Sequence, residues 1–107
     1  MNPEIASMRI ARSIRSVEDG MDELLAKSAD LLAELARARL ATENSVFHGQ
    51  RPLARMAAMQ RSLVEARSEL VHAHGDLSKL AESMDIAYQC PTRAELLEED
   101  VLRSDAA

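Results

Sequence analysis

His72, His74 and Asp76 stand close enough in the chain to raise the question of metal binding. Helical ligands must sit three or four residues apart to share a face, a spacing met within this trio by His72 and Asp76 alone. No third donor is expected opposite them, so no metal site is expected and both side chains read as solvated. His74 borders an apolar flank beside Gly75, level with Gly20. The two glycines read as tolerated helix-interior residues, each costing about 1 kcal/mol relative to Ala. Cys90 precedes Pro91 near the start expected for a third helix at Thr92. A thiol becomes reactive beside a cation or a helix N-terminus, and an unreactive one is expected here. Gln60 and Arg67 border the same apolar flank. They could set register against a partner or hold an anion, but such side chains usually lay their stems on apolar surface and reach water. Arg37, Arg39, Arg51 and Arg55 make a local basic excess that nucleic acid or an acidic partner could use. Without interleaved aromatics a solvated surface is expected. The chain has no Gly-rich phosphate loop, no CxxC pair and no nucleophile with a base at hand. Neither a catalytic residue nor a cofactor is expected, and the chain does not read as an enzyme.

Composition narrows what can carry these side chains. The 107 residues include 18 Ala and 14 Leu, whereas Gly, Pro and aromatics together number eight. Sheets need turn residues and β-branched or aromatic strands, so an all-α fold in one domain, residues 1–107, is expected. One Cys excludes an internal disulfide framework and suits a reducing, cytoplasmic setting. No apolar run reaches about 18 residues, so no membrane span is expected. The Met1-Asn2-Pro3-Glu4 start has neither the basic end nor the apolar centre of a signal peptide. Eighteen acidic against 13 basic residues give a net charge of −5, which argues against a general nucleic-acid binder, because phosphate neutralisation needs clustered Lys and Arg.

The punctuation divides the chain into three helices. Asn2-Pro3-Glu4 offers a cap, a first-turn proline and an acid against the helix dipole. A helix over about 3–42 follows, roughly 60 Å long at 1.5 Å per residue. A polar loop over 43–51 is closed by Pro52, which reads as the first turn of a second helix over about 52–88. Thr92-Arg93-Ala94-Glu95 is a capping box that opens a short helix over about 93–103. The first two helices carry matching heptads. Ile10, Ile14, Val17, Met21, Leu24, Ser28, Leu31, Leu35 and Ala38 run along one, and Met56, Met59, Leu63, Ala66, Leu70, Ala73, Leu77, Leu80 and Met84 along the other. Paired antiparallel, from Ile10 with Met84 to Ala38 with Met56, these nine layers are symmetric about Phe47. Pattern and turn position thus agree on a coiled-coil-like hairpin. Arg9, Arg12 and Arg15 would then lie beside Glu82 and Asp85, which disfavours a parallel alternative.

That register leaves one flank polar and the other oily. Leu25, Leu32, Ala29 and Ala36 would face Ala57, Val64 and Val71, bordered by Arg67 and His74. Burying each large side chain is worth roughly 1.5–3 kcal/mol, stabilisation that a two-helix protein needs. A homodimer forming a four-helix bundle through this flank is expected, with a helical protein partner as the rival occupant.

The helical outline and Phe47-His48-Gly49 at the bend resemble the WXG100 family of small secreted helical hairpins, which turn on Trp-x-Gly. Phe stands here for Trp, and Tyr88 is followed four residues later by Thr92 where that family's secretion motif has an acid. The resemblance implies a secreted, often dimeric hairpin. The residues themselves point to a small bacterial-type scaffold, adaptor or regulatory protein that binds proteins through helix packing. A nucleic-acid-associated regulator using the basic tip is the alternative from another class.

Overall fold

Asn2 starts the first helix as its type and place suggest. Its side-chain Oδ1 accepts from the Glu4 amide at 2.8 Å, and its carbonyl accepts from the Ala6 amide at 3.0 Å. One of the unpaired donors of the first turn is thereby satisfied. Helix α1 then runs Pro3–Thr42 and helix α2 runs Val46–Ser83 in this computed structural model. The structure describes residues 2–42, 46–88, 98, 101 and 102, with the backbone alone at 46–48. Among the described residues there is no strand, so the fold is an all-α hairpin of two long helices. The expected helix over 93–103 lies mostly outside the described residues. Of it, Glu98, Val101 and Leu102 are exposed.

Helix α2 departs from expectation at both ends. It begins at Val46, six residues before Pro52, so the segment 46–51 expected as loop is helical and the proline lies inside. Pro52 has no amide to offer the residue 48 carbonyl, and the helix crosses that gap with one bond missing. At the other end α2 stops at Ser83 rather than near residue 88. Asp85 takes a left-handed backbone, φ 55°. The Ile86 amide reaches back to the Ala81 carbonyl at 2.9 Å, and the Asp85 amide to the Glu82 carbonyl at 3.1 Å. These two bonds are the Schellman stop, here built on Asp where Gly is usual. The apolar side chain that the motif places after the stop is Ile86.

The earlier start of α2 resets the pairing. The chain forms two compact units, one of Met1–Asp19 with Leu70–Ala107 and one of Gly20–Glu69. In the second unit the Gln60 Nε2 donates to Ser28 Oγ at 3.4 Å, whereas the expected register put Ala66 opposite Ser28. Arg39 lies over Gly49, where a Cβ would come 2.7 Å from its Cδ, so a side chain at 49 would push the flexible Arg39 aside. Both pairs are symmetric about position 44, three residues short of Phe47. The least exposed positions of α1 are accordingly 7, 11, 14, 18, 21, 25, 28, 32, 35 and 39. Those of α2 include 49, 53, 56, 60, 63, 67, 70, 74, 77 and 81. One row of each expected heptad stays in the seam, with Ile14 and Met21 on α1 and Met56 and Leu63 on α2. The other row, with Ile10, Val17, Leu24 and Leu31 on α1 and Met59 and Leu80 on α2, turns outward.

Candidate interaction surface

The turn of both helices brings polar groups into the seam. In the first unit Glu18 is buried although it is charged, and it sits 3.6 Å from His74 Nδ1 and 3.7 Å from Arg15. Arg15 also reaches Asp19 at 3.6 Å, one helical turn on, so it is engaged on its own helix. The His74 ring meets Tyr88 edge to face, centroids 5.5 Å apart. Ser7 is buried and donates to the Ala87 carbonyl at 3.0 Å, which fastens the chain beyond the α2 stop to the first turns of α1. In the second unit the Arg67 Nε donates to Asp22 Oδ1 at 3.3 Å, and buried Ser28 donates to the Leu25 carbonyl while accepting from Gln60.

Such a seam buries little that is apolar. Among the described residues the buried hydrophobic side chains are Ala11, Ile14 and Ala81, and no large side chain is fully enclosed. Large aliphatics such as Met21, Leu25, Leu32, Leu63 and Leu70 are only half-buried there, and others lie on the outer faces. Ile10, Val17, Leu24 and Leu31 recur every seven residues on α1, each between 43% and 49% exposed. On α2, Met59, Leu80 and Met84 are exposed as well. In the first unit Ile10, Leu77, Leu80, Ala81 and Met84 line an open apolar groove of about 190 Å³.

The residues singled out by type fall into three groups. Of the expected oily flank, Leu25, Leu32 and Ala36 are half-buried in the rows that line the seam or border it, whereas Ala29, Ala57, Val64 and Val71 are exposed. Arg67 and His74 from the same flank are engaged with Asp22 and with Glu18, as given above. At the basic tip Arg37 donates to Glu34 at 2.8 Å and Arg39 to Gln50 at 3.2 Å, while Arg51 and Arg55 are exposed. His72 and Asp76 are exposed, and among the described residues no three His, Cys, Asp or Glu side chains converge as metal ligands. Cys90 and Thr92 lie outside the described residues. Phe47-His48-Gly49, expected at the bend, belongs to the first turns of α2, so the tripeptide on which the WXG100 likeness rests is helical here. Among the described residues no helix is long and apolar enough to cross a membrane.

The outward row on α1 is the feature that type-by-type reading missed. Its residues were legible as hydrophobic, but they were assigned to the intrachain core. Comparison of the chain with protein-family models, with curated proteins and with solved structures finds no match.

Proposed function

We propose that this chain is a non-catalytic interaction module, a small scaffold, adaptor or regulatory protein that works by offering a helical face to other helices. One observation carries the reading. The heptad row Ile10, Val17, Leu24 and Leu31 stands exposed on α1 while the seam behind it holds Glu18, Ser28, Gln60, Arg67 and His74. Monomeric proteins rarely leave a continuous apolar strip in water, and a row at seven-residue spacing is the shape that a partner helix covers.

The test is a comparison of two double variants made in the full chain and recovered from the cells that make it. Leu24→Gln with Leu31→Gln removes the outward row, and Glu23→Gln with Lys27→Gln changes exposed polar positions nearby. Expected is a stoichiometric complex, with another protein or with the chain itself, that the first pair abolishes and the second pair leaves intact. A complex equally indifferent to both pairs, or no complex with the unaltered chain, overturns the reading.

A further inference from the structure

We infer that the groove of the first unit docks a basic amphipathic helix of another protein, which sets one large apolar side chain into the groove with Lys or Arg around it. The inference rests on the reading of the chain as a helix-packing module, and it names a second contact and the chemistry of its partner. Every residue that carries it belongs to the first unit, and Ile10 is the residue that the groove shares with the outward row.

Shape and lining select the anchor. Ile10 of α1, Leu80 and Met84 of α2, and Ile86 and Tyr88 beyond the α2 stop line the groove. The left-handed turn at Asp85 sends the chain back, and the bond from Ser7 to the Ala87 carbonyl fastens this third wall to α1. That bond occupies the Ser7 hydroxyl, and no charged side chain lines the space, so the guest must be apolar. A volume of about 190 Å³ suits a single ring or branched side chain, since an apolar cavity of about 150 Å³ takes up benzene. Leu80 and Met84 are 55% and 57% exposed, so the guest reaches them from solvent, and the unbranched Met84 can re-pack around it.

Charge selects what carries the anchor. Seven acidic and seven basic residues cancel in Gly20–Glu69, so the whole net charge of −5 falls on the first unit. The charged residues that adjoin lining positions in the chain are Glu4, Asp76, Glu82 and Asp85 against Arg9 and Lys79, and all six are exposed. Among the described residues no ion pair engages those four acids. A helix with Lys or Arg beside its apolar stripe complements such a rim, whereas an acidic helix meets like charge. The same rule sets aside the chain's own stretch 93–103, in which Glu95, Glu98, Glu99 and Asp100 outnumber Arg93 and Arg103. One apolar anchor with charged flanks is also how a helix is held in a groove elsewhere.

Fluorescence anisotropy with the purified full chain and three labelled synthetic peptides tests this. The first is an Ala-rich helix with one central Phe flanked by Lys; the second has Glu at every Lys position, and the third has Ser for the Phe. Expected is binding of the first at least about 10-fold tighter than of either other, weakening about 5-fold from 50 to 300 mM salt. Leu80→Gln with Met84→Gln weakens it at least about 10-fold with helical circular dichroism retained. Should that pair lose helicity, Met84→Gln alone carries the same expectation. Asp76→Asn with Glu82→Gln weakens it about 3- to 10-fold and flattens the salt dependence. Leu24→Gln with Leu31→Gln, in the second unit, leaves it unchanged. Equal binding of the Lys and Glu peptides overturns the basic partner. A first peptide that binds no better than the third, or ignores the groove variants, overturns the anchor site. A chain that fills the groove with its own second copy, so that the groove variants dissolve a dimer and no peptide enters, overturns the foreign helix. If the peptides fail while the Leu24/Leu31 pair still abolishes a complex from cells, the interaction reading stands and the groove falls. If the first peptide binds as expected and no row-dependent complex is found, the groove stands without the row.

Discussion

The seam between α1 and α2 is a mixture of polar and apolar side chains, whereas the outward row of α1 is wholly aliphatic. Of its ten positions on α1 the seam fills half with small or polar residues, Ser7, Ala11, Glu18, Ser28 and Arg39, and half with Ile14, Met21, Leu25, Leu32 and Leu35. The row one step around the same helix takes Ile10, Val17, Leu24 and Leu31. Hydrophobic burial is the main favourable term in folding, and here much of the available aliphatic surface is not used for it inside one chain. Hydrogen bonds and ion pairs such as Gln60–Ser28 and Arg67–Asp22 hold register in the seam but add little net stability, since each replaces bonds to water. The difference teaches that the seam specifies which helix lies beside which, while the row is aliphatic surface that the chain itself leaves half exposed.

The contrast can be broken most strongly at neighbouring positions of α1. Ile14 is one of the few buried large side chains, and Ile14→Ala should cost about 2–4 kcal/mol in urea unfolding at any protein concentration. Leu24→Ala should cost under about 0.5 kcal/mol when the chain is dilute, as a half-exposed residue does, with a larger loss only when it is concentrated. Equal costs at dilution would show that the row is part of the intrachain core. Pro52→Ala bears on where the seam begins. With the proline inside α2, restoring an amide should raise stability by about 1–3 kcal/mol, whereas a proline in a true first turn would give no such gain. Thermal melts by circular dichroism read it. Asp85→Gly bears on where the seam ends. Relief of the left-handed backbone should stabilise by about 1 kcal/mol in the same melts. Smallest is Asn2→Ala, which should cost about 0.5–1 kcal/mol through the lost cap.

The start of α1 was legible because its signals agree. Asn2, Pro3 and Glu4 each favour a helix N-terminus for a separate reason, and the chain caps there as they indicate. The register was legible only by half, and the cause is the width of the apolar stripe. Leu24 and Leu25, like Leu31 and Leu32, are adjacent, so two seams that share Ile14, Met21, Ser28 and Leu35 are both hydrophobic enough to pass. Choosing between them depends on where the chain turns. Pro52 is the strongest local signal for a helix start, but the six residues before it are helical as well, although Val46, Phe47, His48 and Gly49 are weak helix formers. Three residues' difference in the pivot moves each seam by one row, and that step exchanges Leu24 for Leu25 and Ala73 for His74. The polar pairs are legible only afterwards. Glu18 and His74 are 56 positions apart in the chain, the pivot of the second unit does not pair them, and nothing in either neighbourhood marks them as partners. The outward row followed the same course, for its residues were visible and their direction was not.

The gap at Pro52 has a consequence for how the molecule breathes. A helix with one rung missing in its second turn can lose the turn before that rung without unzipping the turns after it, since cooperativity is interrupted there. Backbone amides of residues 49–51 should therefore exchange with deuterated water well ahead of those at 60–70. A protease that samples brief openings should make its first cut near this end of α2, leaving Gln60 and Ser28 still joined.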